Sequence, residues 1–219
     1  MDLVIPVSKN SGWKGHIELL FTLRSVEKYL NPKKVYIVGH RPNWIQNIVH
    51  ISQPDPYPGN KDANMINKIL HATYYTNHFV RMSDDQILLA PFDSNLYHNG
   101  EYLPSATTDG WYKRLNNTAK LFSKPFYNFD LHIPTIYQGD LFRKVMFSVP
   151  YGIKPGYCIN SLYFNSIDIQ SSKIPRDFVG APDFQNHRRR VINLKDKYLN
   201  NRLKLKLMEL FPNPSKYEI

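Results

Sequence analysis

Apolar positions along the first 90 residues come in two alternating patterns. Leu3 to Val7, LVIPV, is a short continuous run suited to a central strand buried on both faces. Residues 16–30, HIELLFTLRSVEKYL, set Ile17, Leu20 and Leu23 along one helical face, continued by Val26, Tyr29 and Leu30, and Asn31-Pro32 ends that helix. KKVYIVGH at 33–40 and IVHIS at 48–52 predict two more strands, and the intervening polar and proline-rich stretches predict loops. Residues 62–75 open on an N-cap candidate, Asp62, and carry Met65, Ile69 and Ala72 at helical spacing. HFVRMS at 78–83 predicts a fourth strand. Strand, helix, strand, strand, helix, strand is the order of an α/β fold with a mostly parallel, Rossmann-like sheet flanked by helices. Ligands of such sheets bind beyond the carboxyl ends of the strands. PVSKN, GHRPNW and SDDQ occupy such ends.

Two places break the apolar pattern in a way that needs chemistry. Asp84 and Asp85 interrupt FVRMSDDQILL, where a carboxylate is costly unless paired, hydrogen-bonded or bound to a metal. Adjacent residues on a strand point to opposite faces, so a division of labour is expected, one acid on a divalent ion and the other on a sugar hydroxyl or a water. Hard ions such as Mg²⁺ and Mn²⁺ take oxygen ligands of this kind. The second place is YNFDLHIPTIY, 127–137, which alternates strictly. If extended, it sets Asp130 and His132 on one face, where they could supply a metal ligand and a general base. The ordinary alternatives are a turn for the first pair and a hydrogen-bonded Asp–His pair for the second. Residues 92–135 show weak periodicity and read as an irregular segment of the lid or binding-loop kind.

Composition narrows the classes. At 219 residues, 42% hydrophobic and 14% aromatic, the chain can bury a sizeable core as a single domain. No apolar run approaches the length of a membrane span, and MDLVIPVSKN does not look like a signal peptide. Cys158 is the single cysteine, which excludes an internal disulfide. A cytoplasmic location is the expectation. The sequence has no P-loop, GxGxxG or GxSxG, so phosphates would fall to a metal, a helix N-terminus or basic side chains such as Lys9, Lys14 and Lys61.

LVIPVSKN, FVRMSDDQILL, FDLHIP, CINSLYFN and the tail LMELFPNPSKYEI together resemble the GT-A type of nucleotide-sugar-dependent glycosyltransferase. More narrowly, they are similar to small glycosyltransferase-like proteins of tailed phages with features of Stealth-type capsule sugar-phosphate transferases. The resemblance implies one domain over 1–219: a nucleotide-sugar-binding half at 1–90, an acceptor and metal half at 91–175, and a basic C-terminal extension at 176–219. It implies a nucleotide-sugar donor, a UDP-sugar first, with Mn²⁺ or Mg²⁺ at its diphosphate. Asp85 and His132 stand where the family holds the metal. Asp84 stands where it contacts the ribose or donor sugar, and Pro6, Val7, Ser8, Lys9, Asp62 and Asn64 where it contacts the nucleotide or donor. A strict DxD would need an acid at 83, which is Ser83. Asp130 and Asp109 are both candidates for the base that activates an acceptor hydroxyl.

The net charge of +10 favours a polyanionic partner. It is concentrated between His187 and Lys206, where Arg188, Arg189, Arg190, Lys195, Lys197, Arg202, Lys204 and Lys206 face one acid, Asp196. Over 195–210 a helix would put Leu199, Leu203, Leu207 and Leu210 on one face and leave most of the cations off it. Trp111, Tyr112, Lys113 and Arg114 add an aromatic-basic cluster suited to an unstacked base. A hydroxymethylated base in phage DNA is therefore one acceptor to weigh. The other readings are a glycan or small-molecule acceptor, a sugar-1-phosphate transferase, and a nucleic-acid-binding protein without catalysis.

Overall fold

The computed structural model describes every residue except 10–14, 105, 107, 108, 124, 168, 187 and 195–198. Lys14, His187, Lys195, Asp196 and Lys197 lie outside the described residues. The first half of the chain runs β1 (Asp2–Val7), α1 (Ile17–Tyr29), β2 (Val35–Gly39), β3 (Val49–Ile51), α2 (Lys61–Ala72), β4 (His78–Arg81), β5 (Gln86–Leu88), β6 (Tyr97–His98) and α3 (Gly110–Ala119). The second half runs β7 (Thr135–Gln138), α4 (Gly139–Phe147), α5 (Ile159–Ser166), β8 (Ser172–Lys173), β9 (Val179–Gly180), β10 (Val191–Asn193) and α6 (Asn201–Leu210).

The central sheet has the order β3-β2-β1-β4-β7. β1 is parallel to both β2 and β4, β2 is parallel to β3, and β7 lies antiparallel at the edge with Tyr137 opposite Phe79. The chain leaves β1 toward β2 and β3, then returns to the other side of β1 with β4. The carboxyl ends of β1 and β4 therefore flank a topological switch point, the usual ligand crevice of such sheets. The six elements anticipated in the first 90 residues are all present.

Strand alternation sorts the core. Val4, Val38, Phe79 and Tyr137 face Ile66 and Ile69 of α2 and Phe142, Leu162 and Tyr163 of α4 and α5. Leu3, Ile5, Val80 and Met82 face Leu19, Leu23 and Val26 of α1. Helix α1 is covered on a second side as well. Phe21, with Ile17 and Leu20 beside it, packs against Ile87, Ile192, Leu203 and Leu207 of β5, β10 and α6. The expected single apolar face of α1 is thus corrected: Ile17 and Leu20 belong to this outer cluster, because the helix is sandwiched between two layers. The basic extension docks here through Leu203 and Leu207, with Leu205 left exposed, as its leucine spacing anticipates. The tail is held to α1 by Arg24, which donates to both carboxylate oxygens of Glu218 at 2.9 and 2.6 Å.

Three other expectations are corrected. Asn60, not Asp62, caps α2, its side chain accepting the Ala63 N–H at 3.2 Å, which moves Asp62 into the first turn. The middle segment holds a ten-residue helix, α3, capped by Asp109. Residues 127–137 are not one strand. The Phe129 N–H goes to Ser161 Oγ and the Asp130 N–H to Asn128 Oδ1, each at 3.0 Å, and His132 adopts a left-handed φ of 52°. These local bonds replace a ladder, so β7 begins only at Thr135 and Asp130 and His132 do not share a strand face. No helix among the described residues is long and apolar enough to cross a membrane.

Candidate functional site

On the α2 side of the sheet, beyond β4, a cavity of about 120 Å³ is lined by Asp62, Arg81, Trp111, Arg114, Asp130 and His132, together with Cys158 and Asn160. Each arrives by a different local device. Asp62 comes from the first turn of α2. Asp109 accepts the Trp111 N–H at 2.7 Å and so sets the first turn of α3, which carries Trp111 and Arg114. Asp130 is fixed by the N-terminal turn of α5, its Oδ2 accepting from the Ser161 N–H at 3.2 Å and from the Ser161 hydroxyl. Arg81 ends β4 on the same strand face as Phe79.

Two carboxylates and two guanidiniums share this cavity. Arg114 Nε lies 2.9 Å from Asp62 Oδ2. Arg81 is 8% exposed, and its Nη2 contacts the Met65 sulfur at 2.8 Å, a weak acceptor for a guanidinium. Burial pushes the Asp130 carboxyl above its ordinary value, opposed by the two Ser161 donors and by His132. Burial also raises Asp62; Arg114 pulls it back and the nearby Asp130 adds to the rise. Burial raises the Cys158 thiol, which keeps it an un-ionised wall residue.

On the α1 side of the same crevice stands a second group. His16, Glu18 and Asp84 each offer a ligand atom, all within 4.8 Å of one another, and among the described residues this is the one cluster of three such side chains. His16 is the N-cap residue of α1, at φ 56°, and Glu18 follows in the first turn. Glu18, Thr22 and Ser25 form a buried polar stripe along α1. Thr22 Oγ1 donates to the Asp84 carbonyl at 2.8 Å and Ser25 Oγ accepts the Leu88 N–H at 3.1 Å, so the stripe fixes the turn between β4 and β5. The His40 ring lies 4.9 Å from that of His16, and burial, then His16, Lys9 and His50, holds its basicity down.

The anticipated residues therefore divide. Asp62, Trp111, Arg114, Asp130 and His132 meet in one cavity, and Asp84 joins a different group. Asp85 is not part of that group; its carbonyl accepts the Leu194 N–H at 2.9 Å and ties down β10. Pro6 and Val7 are buried in β1, while Ser8 and Lys9 emerge from its end. Asn64 is spent on the Tyr57 backbone, bonding its N–H and its carbonyl at 2.9 Å each. Asp109, exposed and engaged as a cap, does not line the cavity, and Lys113 is exposed. Arg188 is exposed and Arg189 half-buried, whereas Arg190 donates to the Pro91 carbonyl at 2.6 Å and lies over Phe178.

Sequence reasoning missed Arg81, His16, Glu18 and Lys68. Arg81 was visible as a cation inside an apolar strand. Glu18 was hidden by reading α1 as one-sided. Lys68 is 2% exposed, reaches Ser8 Oγ at 3.3 Å and pairs with Asp55. A side chain at Gly39, φ 109°, would meet the Val7 carbonyl and come within 2.6 Å of Lys68 Cε, so this glycine makes the passage for the lysine.

Neither a family model nor a curated protein matches the sequence. Among solved structures, the galactosyltransferase LgtC in complex with donor and acceptor sugar analogues is similar, with a TM-score of 0.53 at 10% identity over 99% of this chain and 98% of that one. The likeness spans both chains almost end to end, and the chain has the same GT-A-like α/β fold, a mostly parallel sheet flanked by helices.

Proposed function

We propose that this chain transfers a sugar from a nucleotide-sugar donor to a hydroxyl acceptor. The observation that carries the reading is the placement of Asp62, Arg81, Arg114 and Asp130 in one cavity beyond β4, at the switch point of a GT-A-like sheet. In this reading Arg81 and Arg114 orient donor oxygens, and Trp111 forms an apolar wall against which a ring can rest. Asp130 takes the proton of the acceptor hydroxyl, its own carboxyl held in place by Ser161. Asp62, tied to Arg114, holds sugar hydroxyls. Ser8, Lys9 and the buried Lys68 at the end of β1 suit the nucleotide.

A divalent ion, Mn²⁺ or Mg²⁺, suits a crevice this rich in carboxylate and imidazole donors. When bound it would offset the charge developing on the diphosphate leaving group. The resemblance implies Asp85 and His132 as its ligands; the His16–Glu18–Asp84 group competes with them for that role.

A thermal-shift screen of nucleotide sugars, UDP-sugars first, with and without Mn²⁺ tests the donor. Ligands that bind only the native state raise its midpoint. A rise of the midpoint with at least one donor is expected; no response to any donor would remove the reading. Products separate two chemistries, since a glycosyltransferase releases a nucleoside diphosphate and a sugar-1-phosphate transferase a monophosphate. A hydroxymethylated base in DNA is a second reading of the acceptor. Trp111 in the cavity wall, suited to stacking on a flipped base, favours it, as does the net charge of +10. It requires duplex binding that weakens steeply with salt and transfer to hydroxymethylated but not unmodified DNA.

A further inference from the structure

We infer that His16, Glu18 and Asp84 form a divalent-cation site, and that this chain holds its ion through the β1–α1 entry and the β4–β5 turn. Only the role of the ion, as counter-charge to a donor diphosphate, rests on the proposed function; the site itself stands on the geometry. Its three ligand atoms lie within 4.8 Å of one another. An octahedral ion with bonds of about 2.1 Å spaces its donors by roughly 3 to 4 Å, so closing the set takes movements of less than about 1 Å.

The surroundings of the group suit a bound cation. Glu18 is 1% exposed and His16 6% exposed, while Asp84 is half-buried, so two of the three donors are shielded from solvent and the third is partly accessible. Two carboxylates meeting this closely repel unless a proton or a cation lies between them. The group consists of two carboxylates and an imidazole, in contrast to the cavity across β4, where Arg81 and Arg114 stand beside the acids. Thr22 holds the Asp84 backbone at 2.8 Å, so one ligand is fixed from behind as outer partners of metal sites usually are. This donor set suits Mn²⁺ better than Mg²⁺, which prefers oxygen alone. His132 and Asp85, by contrast, are not brought together with a third ligand among the described residues.

Mn²⁺ binding to the whole protein, without nucleotide, is measured by loss of the free-ion electron paramagnetic resonance signal. One ion per chain is expected for the wild type. Glu18→Gln and Asp84→Asn, both isosteric, should weaken it by roughly 100-fold or more, beyond the cost of losing an outer partner alone. His16→Asn should do the same while tolerating the left-handed backbone. Asp85→Asn and His132→Ala should bind as the wild type does. A metal-free melting curve checks that each variant is folded. Absence of binding by the wild type would overturn the inference. So would undiminished binding by folded Glu18→Gln, or loss of binding in Asp85→Asn or His132→Ala alone. Bound Mn²⁺ in a protein that turns over no nucleotide sugar would support the site and remove the proposed function.

Discussion

The two sides of the crevice, divided by β4, use the same acidic residue types to opposite ends. On the α2 side, Asp62 and Asp130 are balanced by Arg114 and Arg81, and the cavity is close to neutral. On the α1 side, Glu18 and Asp84 meet His16, an imidazole in place of the guanidiniums. A cavity in which Arg114 pairs with Asp62 while Arg81 meets a sulfur and Asp130 a serine keeps polar groups that suit a polyhydroxylated sugar. A group of two acids and an imidazole suits a dication. In the proposed function the two groups would serve two parts of a donor, the diphosphate on the α1 side and the sugar on the α2 side.

The sharpest way to break this division is Asp130→Asn. It should lower kcat by about 10²–10⁴, the usual worth of a general base, while Mn²⁺ binding is unchanged. Equal turnover by the two proteins would leave Asp130 a structural partner of Ser161.

A smaller effect separates support from chemistry on the α1 side. Burial alone would raise the Glu218 carboxyl, but Arg24 and Ser215 outweigh it and hold it below its ordinary value. Glu218→Gln should cost about 2 kcal/mol at neutral pH, the scale of a hydrogen bond to a charged group. A depressed carboxylate contributes stability above its unfolded value, and that contribution is lost as pH falls through the folded one. The difference between the two proteins, measured by urea unfolding, should therefore shrink below the ordinary carboxylate range, with the cavity-side kinetics unaltered.

Arg114→Gln tests the balance within the cavity. Removing one charge-assisted contact should raise KM by roughly tenfold, about 1.4 kcal/mol, and leave kcat less affected. The smallest effect concerns Ser161→Ala. Ser161 donates to Asp130 and opposes the rise that burial causes. Without the hydroxyl the Asp130 carboxyl should rise further, and the acid limb of the kcat/KM profile should move to higher pH. A limb that stays in place would detach it from Asp130.

The parallel half of the fold was legible because its strands and helices carry unambiguous periods, LVIPV and VYIVG against residues 62–75. The remainder was not. In FDLHIP the alternation is real, but Ser161 and Asn128 capture the backbone donors that a ladder would need. Helix α3 was masked by polar residues and by a cap, Asp109, that reads equally well as a base. Asp84 and Asp85 stood out in the sequence because acids break an apolar run. Their partners did not, since His16 and Glu18 reach Asp84 only through the sandwiching of α1, a tertiary fact that one-face periodicity cannot express. Arg81 carries a different signal: a charge inside a buried strand is costly unless something meets it, and here it lines the cavity.

Cleavage of a nucleotide sugar in the crevice can be followed at phosphorus. The most direct measurement is ³¹P NMR of a donor panel incubated with the protein at saturating Mn²⁺, with sugar and glycan acceptors and hydroxymethylated DNA offered in parallel. Metal-stimulated conversion of at least one donor to its nucleoside diphosphate, lost in Asp130→Asn, is the result expected of such an enzyme. Donors that all remain intact under every acceptor condition would contradict the proposed function.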